Sequence, residues 1–223
     1  MARILNSSVT GISGKVGNLV FFRRNGKSFV KRAGIRKIDM SPSGIARREK
    51  FAMCVKLAKC INRIPEVKAL WDKHKAVGGS AYQVINKHNY HRTDGRDIFD
   101  VPEIVPDSVS FNKTSETASV ISDTIRFKLN PDEISGISRK DLNENSIIAG
   151  VLFFLDNLSY SKEQYIFVSV KGSIVKSGKS CYAVINLPFY SSQYFKDYST
   201  ARLYFALVCG EKGVGNFMRL ISR

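Results

Sequence analysis

An Asn25-Gly26 pair between two short apolar runs limits the local fold more than any other feature of this sequence. Both central residues of a type I′ turn need a positive φ angle, which asparagine and glycine adopt more easily than other residues. Residues 14–32 are therefore predicted to form a β-hairpin around this pair. The two-residue loop also predicts the register, which pairs Arg24 with Lys27, Arg23 with Ser28, Phe22 with Phe29 and Phe21 with Val30.

The positive charge of the chain is concentrated in its first hundred residues. The formal net charge is +16, and residues 1–100 hold 21 Lys or Arg against 7 Asp or Glu. Residues 101–223 hold 14 against 12 and are nearly neutral. A region of one charge sign attracts a polyanion. Nucleic acid, an anionic membrane surface and an acidic protein are the three kinds of partner that fit.

The hairpin carries part of this charge. A two-stranded ribbon is only marginally stable in water, so its apolar base is expected to pack on other residues while its cationic tip projects. In one interpretation the cations only keep the hairpin soluble. In the other they bind phosphates or an acidic partner. The candidate binding residues are Arg23, Arg24, Lys27, Lys31 and Arg32.

Three helices are predicted after the hairpin, over residues 43–63, 65–76 and 80–91. Ser41-Pro42-Ser43 provides a start signal for the first, and Ser80 can cap the third. The single tryptophan, Trp71, is interpreted as a core residue of the second. The first helix has an apolar face and an opposite cationic face. That cationic face is either solvated or a second polyanion contact, and it carries Arg48, Lys56, Lys59 and Arg63.

The sequence changes character after Pro102 and Pro106, where short β-rich runs begin. Turn residues separate seven runs, with one helical turn at 135–143. This spacing is typical of an antiparallel, immunoglobulin-like β-sandwich. The predicted fold class is α+β, with a basic hairpin-plus-helices domain over 1–103 and a β-sandwich domain over 104–223. The predicted strands are 105–112, 119–129, 146–156, 164–170, 181–187, 201–209 and 216–221.

A segment rich in aromatic residues, 188–198, is predicted to be a loop. Exposed tyrosine and phenylalanine clustered on a loop favour a protein interface. The candidate interface residues are Tyr190, Tyr194, Phe195 and Tyr198.

The sequence contains no recognisable catalytic set. All three histidines fall within residues 74–91, and none has metal-ligand partners at a supporting spacing. No enzyme activity, cofactor, metal or small-molecule substrate is therefore expected. The four scattered cysteines are interpreted as buried free thiols: Cys54, Cys60, Cys181 and Cys209. The longest apolar run, 147–155, is too short to span a bilayer, so a soluble protein without membrane contact, made in the cytoplasm, is expected.

Three motifs resemble a family of uncharacterised small basic proteins from bacteria and their tailed phages. They are Gly11-Ile-Ser-Gly-Lys-Val-Gly-Asn-Leu-Val-Phe21, Asn25-Gly-Lys-Ser-Phe-Val-Lys-Arg32 and Ala46-Arg-Arg-Glu-Lys-Phe-Ala52. The resemblance implies an N-terminal hairpin, a helix with an Arg-x-x-Phe-Ala core and an immunoglobulin-like C-terminal part. This chain has Ala33-Gly34 where the family carries a proline. The family has no established activity, so no catalytic residue is transferred.

Two functional hypotheses follow. The first is a non-enzymatic structural component of a large assembly, with incorporation into a phage virion as the expected case. Its basic half would contact nucleic acid or acidic subunits, and its sandwich would contact copies of itself and other subunits. The alternative is a free nucleic-acid-binding protein that contacts phosphates without sequence preference.

Overall fold

The computed structural model describes residues 2–3, 13–34, 38–106, 110–111, 118–121, 123–129, 146–158, 163–177, 180–210 and 212–222. Contacts between residues divide the chain into two compact units, Met1–Pro42 and Ser43–Arg223. The boundary expected between residues 103 and 104 falls inside the second unit. The helical turn expected at 135–143 lies outside the described residues.

The first unit is a small antiparallel sheet built around the predicted hairpin. Asn25 and Gly26 have φ angles of 51° and 73°, as a type I′ turn requires. The register is confirmed, since Arg24 pairs with Lys27 and Phe22 with Phe29. The strands, in the order β1-β4-β3-β2, are β1 Ala2–Arg3, β2 Gly14–Val16, β3 Leu19–Arg24 and β4 Lys27–Arg32.

The second unit begins with the three predicted helices. They are α1 Pro42–Asn62, α2 Pro65–Lys73 and α3 Ala81–Asn89, followed by a short 3-10 turn at Tyr90–Arg92. Ser80 caps α3 as expected, because its hydroxyl accepts a hydrogen bond from the backbone of Gln83. Trp71 is fully buried and donates its indole N–H to the carbonyl of Ile104 at 2.8 Å. Its interpretation as a core residue is confirmed.

The strands of the second unit close into a barrel. Its elements are β5 Ser110–Phe111, β6 Ala118–Ile121, β7 Thr124–Leu129, β8 Ile147–Asn157, β9 Tyr165–Ser177, β10 Ser180–Asn186, α4 Ser191–Asp197, β11 Tyr198–Cys209 and β12 Lys212–Ser222. Among the described residues, seven strands follow the order β11-β8-β9-β10-β7-β6-β12, and β12 pairs again with β11. The prediction of an immunoglobulin-like sandwich is therefore wrong, because one continuous mixed sheet takes the place of two separate sheets.

The closure depends on pairings that local sequence does not specify. The predicted strand 119–129 is two strands, because the chain turns at Asp123, which has a φ of 61°. The resulting β6 runs parallel to β12, and β5 also pairs with β12 in parallel. Since β12 pairs with β11 on its other side, the sheet closes instead of dividing in two.

Strand β8 is buried on both of its faces. Ile148, Leu152 and Phe154 point into the cluster that fills the barrel. Val151 and Phe153 alternate with them and belong to a second cluster, shared with the helices. Strand residues alternate between faces, so a strand covered on both sides reads as a continuous apolar run. This double burial explains the apolar run at 147–155.

Two polar side chains attach the segment after α3 to the barrel. Arg202 of β11 donates to both carboxylate oxygens of Asp97, at 2.7 and 3.2 Å. Asn216 of β12 is fully buried, and its Oδ1 accepts from the backbone N–H groups of Ile104 and Val105 at 2.7 and 3.1 Å. A buried backbone donor must find a partner, so these bonds fix where the segment lies.

Replacement of Asn216 by alanine tests this attachment. Asn216→Ala leaves two buried N–H groups without their acceptor, and we expect the free energy of unfolding to fall by about 2–4 kcal/mol. Urea unfolding measures the loss. Asn186→Ala removes an exposed asparagine at the end of β10 and is the control, with an expected change within about 0.5 kcal/mol. Equal effects of the two substitutions would contradict the assignment.

Candidate functional site

The first unit carries a dense set of exposed cations. Residues 1–42 hold nine Lys or Arg and one acidic residue, Asp39. The five candidate binding residues of the hairpin are all exposed. They lie on β3 and β4, either beside the turn or at the opposite end of the pair, and they are Arg23, Arg24, Lys27, Lys31 and Arg32.

One face of the hairpin combines aromatic rings with cations. The rings of Phe22 and Phe29 stack with their centroids 5.6 Å apart, and the ammonium of Lys31 lies 5.6 Å from the Phe22 ring. Arg24 lies directly opposite Lys27. Like charges directly opposite each other destabilise a sheet by about 0.2–1 kcal/mol. A bound anion would relieve this repulsion.

The cationic face of α1 divides into two groups. Arg48, Lys59 and Arg63 are exposed, Arg63 just beyond the last residue of the helix. Lys56 is instead held against the barrel. Its ammonium lies 2.5 Å from a carboxylate oxygen of Glu163 and 4.8 Å from the centroid of the Tyr165 ring. Lys56 therefore helps to dock α1, whereas the other three lie on the exposed surface.

The aromatic segment 188–198 differs from its predicted form. Residues 191–197 form helix α4 rather than a loop. Phe195 and Tyr198 are only 9% and 3% exposed and belong to the barrel core, so they are not surface residues. Tyr194 is half-buried against Phe154, with their ring centroids 5.6 Å apart. Of the four candidates, Tyr190 alone is classed as exposed, at 56%.

Two of the predicted sets meet at one cleft. Arg63 lines a cleft of about 360 Å³ together with Tyr190 and Tyr194. The two tyrosine rings contact each other edge to face at 5.8 Å. The sequence separates these residues by more than a hundred positions, so their proximity could not be read from spacing. A guanidinium beside two aromatic rings suits an anionic or aromatic ligand.

A second, polar cleft lies where α1 meets the ends of β8 and β9, and no sequence pattern described above predicts it. Its volume is about 620 Å³, and Glu49, Arg96, Asp156 and Tyr165 are among its lining residues. Burial raises the pKa of the Tyr165 phenol, and the carboxylates of Glu163 and Glu49 raise it further. Gly95 also lines this cleft, and this glycine is the sequence feature that could have indicated it.

Gly95 allows the close approach that shapes this polar cleft. Its φ is 101°, and a Cβ added there would lie 2.5 Å from the backbone nitrogen of Lys50. Only glycine combines this backbone conformation with so close a neighbour. The segment that contains Gly95 is therefore in close contact with α1.

His88 and the cysteines contact other protein groups or are buried. His88 Nδ1 lies 2.8 Å from Glu103, which also pairs with Arg92. In the part of the chain that the structure describes, no three His, Cys, Asp or Glu residues are grouped as a metal site would need. All four cysteines are free, and three of them are buried, in agreement with their interpretation as thiols. Cys54 donates to the side-chain oxygen of Asn86 at 2.9 Å and so links α1 to α3.

Comparison with protein-family models, with curated proteins and with solved structures finds no match to this chain. The resemblance to the bacterial and phage family therefore stays a prediction, and the virion role has no support from relatives.

Of the helices in the described residues, none is both long and apolar enough to cross a bilayer.

The Cys54 thiol predicts a loss of stability at alkaline pH. Burial raises its pKa from the usual 9.0 to about 11, with Lys50 opposing the shift. Between these values the unfolded chain releases a proton that the folded protein keeps. The free energy of unfolding should therefore be intact below pH 9 and fall between pH 9 and 11, by at most about 1.4 kcal/mol per pH unit from this thiol.

Urea unfolding at a series of pH values measures this dependence. Cys54→Ala should make the decline shallower. Val55→Ala changes the neighbouring residue on α1, removes no titratable group and should leave the decline as it is. A decline that is the same in both variants would show that Cys54 does not contribute.

Proposed function

We propose that this protein is a non-enzymatic polyanion-binding protein that holds nucleic acid through its phosphates. The observation that carries the proposal is the cationic hairpin, in which Arg24 faces Lys27 and five cations are exposed. A hairpin with like charges opposed is less stable alone than with an anion bound. Binding of an anion would therefore remove a repulsion that destabilises the free hairpin.

The charge distribution of α1 supports the same function. Its sequence contains five Lys or Arg residues and one acidic residue, Glu49. Lys56 forms an ion pair within the second unit, while Lys59 is exposed on the helix surface. Guanidinium and ammonium groups bind phosphate oxygens through charge-assisted hydrogen bonds, and such contacts make up much of a protein–DNA interface. Arginine and lysine contacts to phosphates carry no base preference, so binding without sequence preference is expected.

Salt dependence of binding to duplex DNA tests the proposal. Each phosphate that a cation neutralises releases counterions, so the logarithm of the affinity should fall linearly with the logarithm of salt, by about 0.9 per contact. Fluorescence anisotropy of a short labelled duplex measures this slope. The double variant Arg24→Gln with Lys27→Gln should bind more weakly and reduce the slope by about 2.

A charge-matched variant separates a local contact from an effect of net charge. Lys176→Gln with Lys212→Gln removes two exposed lysines from the nearly neutral part of the chain. It should keep the wild-type slope. If both double variants weaken binding equally, the hairpin is not a specific contact. If the wild-type protein binds no duplex, or binds it independently of salt, the proposed function fails.

A further inference from the structure

A groove between α1 and α3 presents aromatic rings to the solvent. Its volume is about 570 Å³, within the range of ligand sites. The side chains that line it include Phe51 of α1, Tyr82 and Asn86 of α3, and Tyr90 of the 3-10 turn. We refer to it below as the α1–α3 groove.

Phe51 is the informative residue of this groove. It lies in the middle of α1, beside the fully buried Met53 and Cys54, yet 55% of it is exposed. Burying a phenylalanine side chain contributes about 1.5–3 kcal/mol, so the fold leaves much of this gain unused. The apolar face of α1 packs through other residues and does not require Phe51. An exposed ring that lines a groove together with the rings of Tyr82 and Tyr90 is available for contact with a ligand.

Cations lie beside the rings. The ammonium of Lys50 is 4.9 Å from the centroid of the Tyr90 ring, and Lys87 lines the groove from α3. The two helices contribute a single acidic residue, Glu49, and this residue lines the polar cleft instead. The groove therefore suits a ligand that carries both flat rings and negative charge.

Single-stranded nucleic acid has this combination. Its unpaired bases can stack on aromatic side chains while its phosphates meet lysine and arginine. The bases of a duplex are stacked on one another and cannot enter the groove. Asn86 adds a polar group for a base edge: its Oδ1 accepts from Cys54, which leaves the NH₂ group as the donor.

We propose that the α1–α3 groove binds single-stranded nucleic acid, with a base stacked on Phe51 and another on Tyr90, and with phosphates beside Lys50 and Lys87. This inference rests on the proposed function and refines it, because it names the form of nucleic acid and the site that contacts its bases. The hairpin supplies phosphate contacts that any polyanion satisfies. The groove supplies contacts that require an accessible base.

Three polyanions distinguish these contributions: an oligothymidylate, a duplex of the same length, and inorganic polyphosphate, which has no bases. The wild-type protein should bind the oligothymidylate more tightly than the duplex. Phe51→Leu keeps an apolar side chain and removes the ring. It should weaken oligothymidylate binding by at least about fivefold, the lower limit for loss of one stacked base, and leave polyphosphate binding unchanged.

Phe99→Leu is the matched control, since Phe99 is 66% exposed in the same unit and does not line the groove. It should have no effect on any of the three ligands. Tyr90→Leu provides a second groove variant, with the same expected direction as Phe51→Leu. Both groove variants change residues that are not fully buried, and a thermal melt checks that each is folded.

The outcomes separate the two proposals. Salt-dependent binding of all three polyanions that neither groove variant alters would overturn the groove site and leave the proposed function intact. If the wild-type protein binds no duplex, or binds it independently of salt, the proposed function fails and this inference, which rests on it, fails with it. If polyglutamate binds in a way that needs Phe51 while the oligothymidylate does not, the groove takes an acidic protein and the inference is wrong.

Discussion

The second unit depends on the burial of β8 from both sides. Its inward residues, such as Leu152 and Phe154, fill the barrel, while Val151 and Phe153 support the helices. Each such side chain contributes about 1.5–3 kcal/mol when it leaves water. Because one strand serves both clusters, neither the barrel nor the helical layer has a complete core without the other.

Apolar packing alone would leave the segment between α3 and the barrel free to slide. Two polar side chains remove that freedom. Asn216 satisfies two buried backbone N–H groups at Ile104 and Val105, and Arg202 holds Asp97 with two hydrogen bonds. Such bonds are directional, so they select one position for the segment where hydrophobic contact would allow several. The indole of Trp71 then reaches the carbonyl of Ile104 because that position is fixed.

Local chemistry made some of this structure predictable. The turn at Asn25-Gly26, the cap at Ser80 and most strand positions follow from residues within a few positions of each other. Barrel closure does not, because it requires β6 and β12 to pair across about a hundred residues. The sandwich prediction failed on this long-range step. The same distinction holds for the candidate site. The exposed hairpin cations were predictable, whereas the ion pair of Lys56 was not, because its partner Glu163 lies far along the chain.

The exposed candidate residues of the hairpin and of α1 share one physical property, which is that they lie outside the packed core. On α1, Met53 and Leu57 face the packed cluster, while Phe51 and Lys59 face water. The hairpin keeps its charged tip exposed in the same way. A residue that stabilises neither the core nor a neighbouring element can only lower the stability of the free protein, through charge repulsion or through an apolar ring left in water. The hairpin bears a charge repulsion and α1 bears an exposed ring. In the proposed function, phosphates relieve the first and a stacked base covers the second.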